Sequence, residues 1–316
     1  MSLTPDQQQS IAADINAILE RQNIRYNNML LKIAPEDLNE TITDYVGETR
    51  TFKSYFSSLC AAKMDSIYTY KNFPYVLDML NNDELHFTSL KKNGPNDSSE
   101  YLETTLRCMY VQPFIADDYV GPNSNVPSGN HKYFKNANGE PLLIDRERLH
   151  SYICCFTSSY NINRHWAEYA RNESGVCIEI SFKMPKPDNY AWLSYGRVHY
   201  DSGYDFDFLK EINLMMRTEY GKTFTPMGIS KMAIMTKRDR YRWEDELRIA
   251  LLSEGLLKNG MPFTEDPRVP GLVRVPNNNA YFQWTIKQVI AGNKINQQNL
   301  DNLRLVCKRK HIPLIE

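Results

Sequence analysis

The sequence predicts an α+β protein: a mixed or antiparallel sheet core with helices, preceded by an N-terminal helical extension. Three observations lead there. Near the N-terminus, Ile11, Ile15, Ile18 and Leu19 recur at helical spacing and form one apolar stripe. From Ile67 onward, short β-prone runs alternate with short helical stretches, without the strict strand–helix–strand beat of a parallel sheet. The length, 316 residues, divided by about 150 residues per domain, gives two domains or one large domain with an extension. The change of texture places the boundary so that 1–62 is the helical extension and 63–316 the α+β domain.

The elements follow in order. Thr4 is a good N-cap, with Pro5 at the first helical position and Asp6 at the positive end of the dipole. A second helix is expected from Pro35 through DLNETITDYV and a third across FKSYFSSLCAAKM. IYTY then reads as β-prone, FPYVLDML as a short helix and ELHFTS as β-prone again, before the turn residues of GPNDSSE. Residues 101–112 look helical. Residues 115–142 are rich in Gly, Pro and Asn and read as a long loop, of the kind that forms lids. SYICCFT is an apolar strand, NRHWAEYA a helix ended by Gly175, and VCIEISF an alternating strand. A further strand is expected over 190–200, two helices over 205–236, a strand at WTIKQVIA and a closing helix over 296–310.

Charge disfavours bulk nucleic-acid binding and leaves room for a local basic groove. Lys plus Arg total 37 and Asp plus Glu 38, a net charge of −1, so the basic surplus of a phosphate-gripping nucleic-acid binder is missing. The six cysteines show no C-x-x-C and read as buried free thiols of a reducing compartment. The N-terminus has no basic start leading into an apolar core, and no apolar run approaches the ~18 residues of a membrane helix. The expectation is a soluble cytoplasmic protein with no membrane partner; secretion without such a signal stays open. The six histidines make no H-x-x-x-H pair, so no metal is expected. Tyr is over-represented, at 20 residues, and its apolar ring with a polar tip suits a wet cleft.

Three constellations could carry chemistry. The sharpest is Glu244-Asp245-Glu246 with Arg248. As a helix, this stretch pairs Glu244 with Arg248 at i+4. As a strand, it puts Glu244, Glu246 and Arg248 on one face, the carboxylates roughly 6.5–7 Å apart, with Asp245 left on the buried face. A solvated charged face accounts for the same residues. Inside a cleft, two such carboxylates hold a sugar hydroxyl and stabilise an oxocarbenium ion. The second constellation is Trp166 with Tyr169, three apart on a helix and suited to stacking on a heterocycle or to ordinary core packing, with His165 beside them. The third gathers Tyr68, Thr69, Tyr70, His86, Ser89, Asn96 and Asp97, hydroxyls and amides suited to sugar and amide groups.

Taken in order, the motifs resemble the bacterial domain-of-unknown-function family 2971. Its members tend to show L-Y-K-Y, L-x-F-S and F-N-D-P-F-E, then C-F-S, W-x-x-Y-A, G-x-C-I-x-F, K-x-x-x-W-x-Y-E-x-E-x-R and I-x-x-V-I-x-G. The chain has Ile67-Tyr68-Thr69-Tyr70, Leu85-His86-Phe87-Thr88, Asn96-Asp97, Cys155-Phe156-Thr157, Trp166 with Tyr169 and Ala170, and Gly175-Val176-Cys177-Ile178. Lys237, Tyr241, Trp243, Glu244, Glu246 and Arg248 follow, then Ile286, Val289, Ile290 and Gly292. The resemblance covers roughly 65–316. Tyr241 stands where Trp is usual, and Pro95, Ser98 and Ser99 depart from the pattern around Asn-Asp.

The layout is also similar to ADP-ribosyltransferase folds. That likeness implies NAD as substrate and a macromolecular acceptor, protein or nucleic acid, with a role as a bacterial toxin, effector or defence factor. It implies Glu246 as the catalytic carboxylate and Glu244 as the group that orients the acceptor. Tyr70 with Ser89 or Thr157 would hold the nicotinamide end, and Trp166 or Tyr169 would stack. Tyr68, Asn96, Phe156 and Arg248 complete the implied NAD-binding set. A non-catalytic nucleotide- or protein-binding module is the alternative, and a metal-dependent nuclease on Asp97, Glu179 and Glu246 a second one. A protein partner at the N-terminal helices is a further expectation.

Overall fold

The computed structural model describes residues 3–26, 29–30, 32–40, 45–47, 64–90, 151–185, 190, 192–201, 207–221, 223–224, 234–252 and 261–316. In chain order the elements are α1 (Pro5–Arg21), β1 (Arg25–Tyr26), β2 (Met29–Leu30), β3 (Asn39–Glu40), β4 (Tyr45–Gly47), β5 (Ile67–Lys71), α2 (Phe73–Asn82) and β6 (Glu84–Ser89). There follow β7 (Ser151–Thr157), α3 (Asn163–Glu168), β8 (Val176–Lys183), β9 (Leu193–Arg197), β10 (His199–Asp201), α4 (Asp207–Tyr220), β11 (Thr223–Phe224) and β12 (Thr236–Arg238). The chain ends with β13 (Glu246–Leu252), β14 (Leu272–Pro276), β15 (Gln283–Ala291), α5 (Gln297–Lys310) and β16 (Leu314–Ile315). No described helix is long and apolar enough to cross a membrane.

The chain divides into two compact units, Met1–Ala61 with Asn93–Leu149 and His199–Arg240, and Ala62–Lys92 with His150–Val198 and Tyr241–Glu316. In the first unit, α1 begins as its sequence dictates. The Gln7 amide N–H donates to Thr4 Oγ1 at 3.3 Å and the Thr4 N–H donates to Gln7 Oε1 at 2.9 Å, a capping box ahead of Pro5. Ile11, Ile15, Ile18 and Leu19 are all buried. The helix expected from Pro35 is instead a single 3-10 turn, Pro35–Asp37, followed by β3, which pairs antiparallel with β4. Asn, Thr and β-branched residues dominate NETITDYV, and these lose most in a helix. Among the described residues of 1–62, α1 is therefore followed by this 3-10 turn and short strands. Of the two helices expected over 205–236, α4 is present, while Thr223–Phe224 and Thr236–Arg238 are strands. The helices expected over 52–64 and 101–112 and the loop over 115–142 lie almost wholly outside the described residues.

The second unit is built on a nine-stranded, mostly antiparallel open sheet, in which only β15 and β16 run parallel. Along its main path the order is β14-β6-β7-β5-β8-β15-β16. β7 also pairs along its full length with β13, and β13 pairs with β9. One face carries the core. Cys154 and Phe156 of β7, Leu247, Ile249 and Leu251 of β13, Ile178 and Ile180 of β8, and Leu85 and Phe87 of β6 cluster with Val76, Met79 and Leu80 of α2 and Leu303 and Val306 of α5. Those positions alternate along each strand, which is the period a sheet imposes.

On the same unit, Arg171, Asn172 and Glu173 follow one another with φ of 51°, 54° and 67°, a left-handed turn. L-residues resist this by about 1–2 kcal/mol each. It is held where the Gly292 N–H donates to the Gly175 carbonyl at 3.0 Å and the Lys294 N–H to the Glu173 carbonyl at 3.0 Å. A Cβ on Gly292 would fall inside contact distance of the Glu173 carbonyl, and one on Gly175 inside that of Lys71. Both glycines are required by close backbone approach.

Candidate functional site

The acidic triplet does not form one strand face. Glu244 closes a 3-10 turn (Asp239–Glu244), Asp245 sits at φ 43° in the left-handed region, and the strand starts only at Glu246. The helical phasing is corrected, and the strand phasing holds only from Glu246 onward, since Glu244 does not share a strand face with Glu246. Asp245 causes the break. Its carboxylate accepts from Ser159 Oγ at 3.0 Å, from Ser158 Oγ, and from the Arg197 guanidinium. Short polar side chains tolerate this conformation, which still costs about 1–3 kcal/mol. Leaving the strand also removes the burial problem that a strand through Asp245 would create.

Glu246 and Arg248, two apart on β13, do share a face. Arg248 Nε donates to Glu246 Oε1 at 2.8 Å and Arg248 Nη2 to Oε2 at 3.0 Å. The side chains are 3% and 4% exposed. A two-pronged pair of this kind fixes the carboxylate's orientation.

Register then sets the neighbours. Glu246 lies opposite Thr157, Thr157 opposite Tyr68, Tyr68 opposite Glu179 and Glu179 opposite Gln288. Directly opposed residues point to the same face, so five polar side chains cross five strands in a row, on the face away from the core. Cys155 lies opposite Arg248 on that face. At about 4.8 Å per strand, Glu179 and Glu246 stand three strands and roughly 14 Å apart, too far to share one metal ion. Among the described residues no group of three or more His, Cys, Asp or Glu could hold a metal.

An aromatic wall adjoins the row. Tyr70 stacks on His165 at 5.3 Å between centroids and meets Trp166 edge-on at 5.1 Å. Trp243 lies 5.5 Å from His165 and 6.3 Å from a nearly parallel Tyr169, with the Arg164 guanidinium 3.7 Å above its ring. Tyr160 packs on Tyr68 at 5.5 Å. Tyr169 Oη donates to Glu244 Oε1 at 2.9 Å. His165 Nε2 lies 3.1 Å from the Glu244 carbonyl, which can only accept, so Nε2 carries the proton. Nδ1 is then a bare lone pair, buried and without a hydrogen-bond partner among the described residues. Burial holds the His165 pKa below its usual value against the pull of that carbonyl. Burial raises the Tyr70 hydroxyl, with Cys177 adding to the effect, and pushes the Cys177 thiol up to about 12. Tyr68 is raised by burial and then by Glu179.

Of the residues singled out from sequence, Tyr68, Thr157, Glu246 and Arg248 come together on the polar face. Tyr70, Trp166, Tyr169 and Glu244 line the adjoining wall, where Trp166 is a core residue packed with Tyr70, Ala170, Cys177 and Ile290. Phe156 does not join them: it points into the core and meets Phe182 edge-on at 5.2 Å. Ser89 lies opposite Tyr152, five positions along β7 from Thr157 and on the core-side phase. Asn96 lies outside the described residues. Sequence reasoning missed Asp245, Arg197, Ser158 and Gln288 as partners, and named Trp243 as one residue of the family-like motif, with no part in the site. The Gln288 register depends on a bulge that no local pattern announces.

A separate polar cavity of about 510 Å³ is lined by Asp78, Asn82, Glu84, Arg268, Val269 and Arg274. Arg274 ties it together, donating to Asp266 at 2.7 Å, to Asp78 and to His86 Nε2 at 3.1 Å. No protein-family model matches the chain, and neither the curated proteins nor the solved structures yield a match.

Proposed function

We propose that the second unit is an NAD-dependent ADP-ribosyltransferase-like enzyme, acting on a macromolecular acceptor as a toxin, effector or defence factor. The reading starts from the resemblance of the ordered motifs to family 2971 and to ADP-ribosyltransferase folds. One observation carries it further: Tyr68, Thr157 and Glu246 stand abreast on neighbouring strands, a phenol, a hydroxyl and an oriented carboxylate on one polar face.

In this reading the C1′–N bond to nicotinamide breaks and its electron pair leaves with the nicotinamide. Glu246 accepts a hydrogen bond from a ribose hydroxyl and stabilises the ribosyl cation. Thr157 and Tyr68 position the nicotinamide ribose. The acceptor nucleophile closes the new bond at C1′ and gives up its proton. Glu244, held by Tyr169, meets the substrate from the aromatic wall, where Trp243 and Tyr169 stack on the heterocycle.

The test is nicotinamide release from NAD by the wild type, Glu246→Gln and Thr157→Val, in buffer and in lysate, with melting temperatures alongside. Release that falls more than about a hundredfold in Glu246→Gln and about tenfold in a well-folded Thr157→Val supports the reading. No release, with no NAD-induced rise in melting temperature, overturns it. A second reading, a non-catalytic nucleotide-binding module, is favoured by the depth of the Glu246–Arg248 pair. An NAD-induced rise without nicotinamide release selects it.

A further inference from the structure

The row that contains Glu246 continues past Tyr68 to a second buried carboxylate. Glu179 is 9% exposed, and no Lys or Arg among the described residues pairs with it. Its partner is a neutral amide: Gln288 Nε2 donates to Glu179 Oε2 at 2.6 Å. β15 is bulged between Ile286 and Gln288, and the residue in between, Lys287, reaches Ser66 Oγ at 2.7 Å instead. The bulge brings Gln288 into line with Glu179. Bulges that re-aim a side chain recur beside binding sites. Gln288 satisfies Oε2, and Oε1, which is not fully buried, stays open to a further donor on the polar face.

We propose that Glu179 and Gln288 form a subsite for the vicinal diol of a second ribose. This rests on the transferase reading. A diol supplies two neutral O–H donors, which suits a carboxylate flanked by an amide. The roughly 14 Å from Glu246 to Glu179 is comparable to the separation of the two riboses of a dinucleotide joined through pyrophosphate. Tyr68, between the two carboxylates, is shared by both ends. The substrate is then the whole dinucleotide, and a mononucleotide fills only half of the face.

The experiment compares NAD with nicotinamide mononucleotide for the wild type, Glu179→Gln and Gln288→Leu, following nicotinamide release and the rise in melting temperature with ADP-ribose. The expected result is a KM for NAD raised about tenfold to a hundredfold in Glu179→Gln, with kcat and the mononucleotide kinetics unchanged and the ADP-ribose shift lost. Gln288→Leu should show the same pattern, weaker, and carries the test if Glu179→Gln does not fold. An active wild type whose NAD KM is untouched by either variant overturns the subsite and leaves the transferase standing. Equal losses on both substrates also overturn it. A wild type that releases nicotinamide from neither substrate brings down both readings.

Discussion

Arg248 donates two hydrogen bonds to Glu246 from two residues further along the same strand, at 2.8 and 3.0 Å, with both side chains almost fully out of water. Removing one partner takes a two-pronged ion pair away from a charge that stays buried. Arg248→Met and Glu246→Leu should each destabilise by about 3–5 kcal/mol, while the double variant recovers much of that loss. Denaturant unfolding of the four proteins measures the coupling. Additive losses would show that the pair is not an energetic unit. Activity lost in a Glu246 variant therefore has meaning only beside its stability.

Asp245 trades backbone strain for bonds to Ser158, Ser159 and Arg197. Asp245→Ala loses the bonds and keeps the strain, whereas Asp245→Gly loses the bonds and relieves it. Both should be less stable than wild type, with Gly better than Ala by about 1 kcal/mol. Equal melting temperatures for the two would contradict the assigned left-handed conformation.

Gly292 has no room for a methyl group against the Glu173 carbonyl, because the obstacle is backbone and cannot rotate away. Gly292→Ala should cost about 1–3 kcal/mol, with Gly175→Ala behaving alike. Thermal unfolding decides, and a neutral Gly292→Ala would mean that the two loops do not pack so closely.

His165 and His86 are both held below the usual value of 6.5, first by burial, and His86 also by Arg274. The unfolded chain takes up protons near pH 6.5 while the folded one resists, so stability is full above that pH. It falls as pH drops from about 6.5 toward the lowered folded values. Melting temperatures from pH 8 to 5 should show this decline, and His165→Gln should flatten it. A variant with the wild-type slope would assign the dependence elsewhere.

Much of the fold could be read from local pattern. The stripe through Ile11, Ile15 and Leu19, the Thr4 cap and the alternation in ELHFTS and VCIEISF each depend on residues within a few positions. The site was less legible. The strand phase of 246–252 could be foreseen, but the turn at Asp245 depends on Ser158 and Arg197, which are remote in sequence. Phe156 and Thr157 are adjacent, so a strand must send them to opposite faces; only the core face of β7, fixed by tertiary packing, decides which one joins Glu246. Gln288 needed a bulge. The expected helix at Pro35 failed because the opening signal is followed by residues that favour extended backbone.

The placement of β7 has a kinetic consequence. Thr69 and Cys155, bonded side chain to backbone, are separated by 86 positions, and Ser158 and Asp245 by 87. Both flanks of this strand are thus closed by distant parts of the chain, and loop closure of that length precedes any reward from pairing. The polar row exists only once both closures are complete. A refolding experiment should therefore see Trp243 reach its native fluorescence in the slowest phase, after the helical signal has recovered. For a nascent chain, this ordering withholds the assembled carboxylate row until residues beyond β13 have been synthesised.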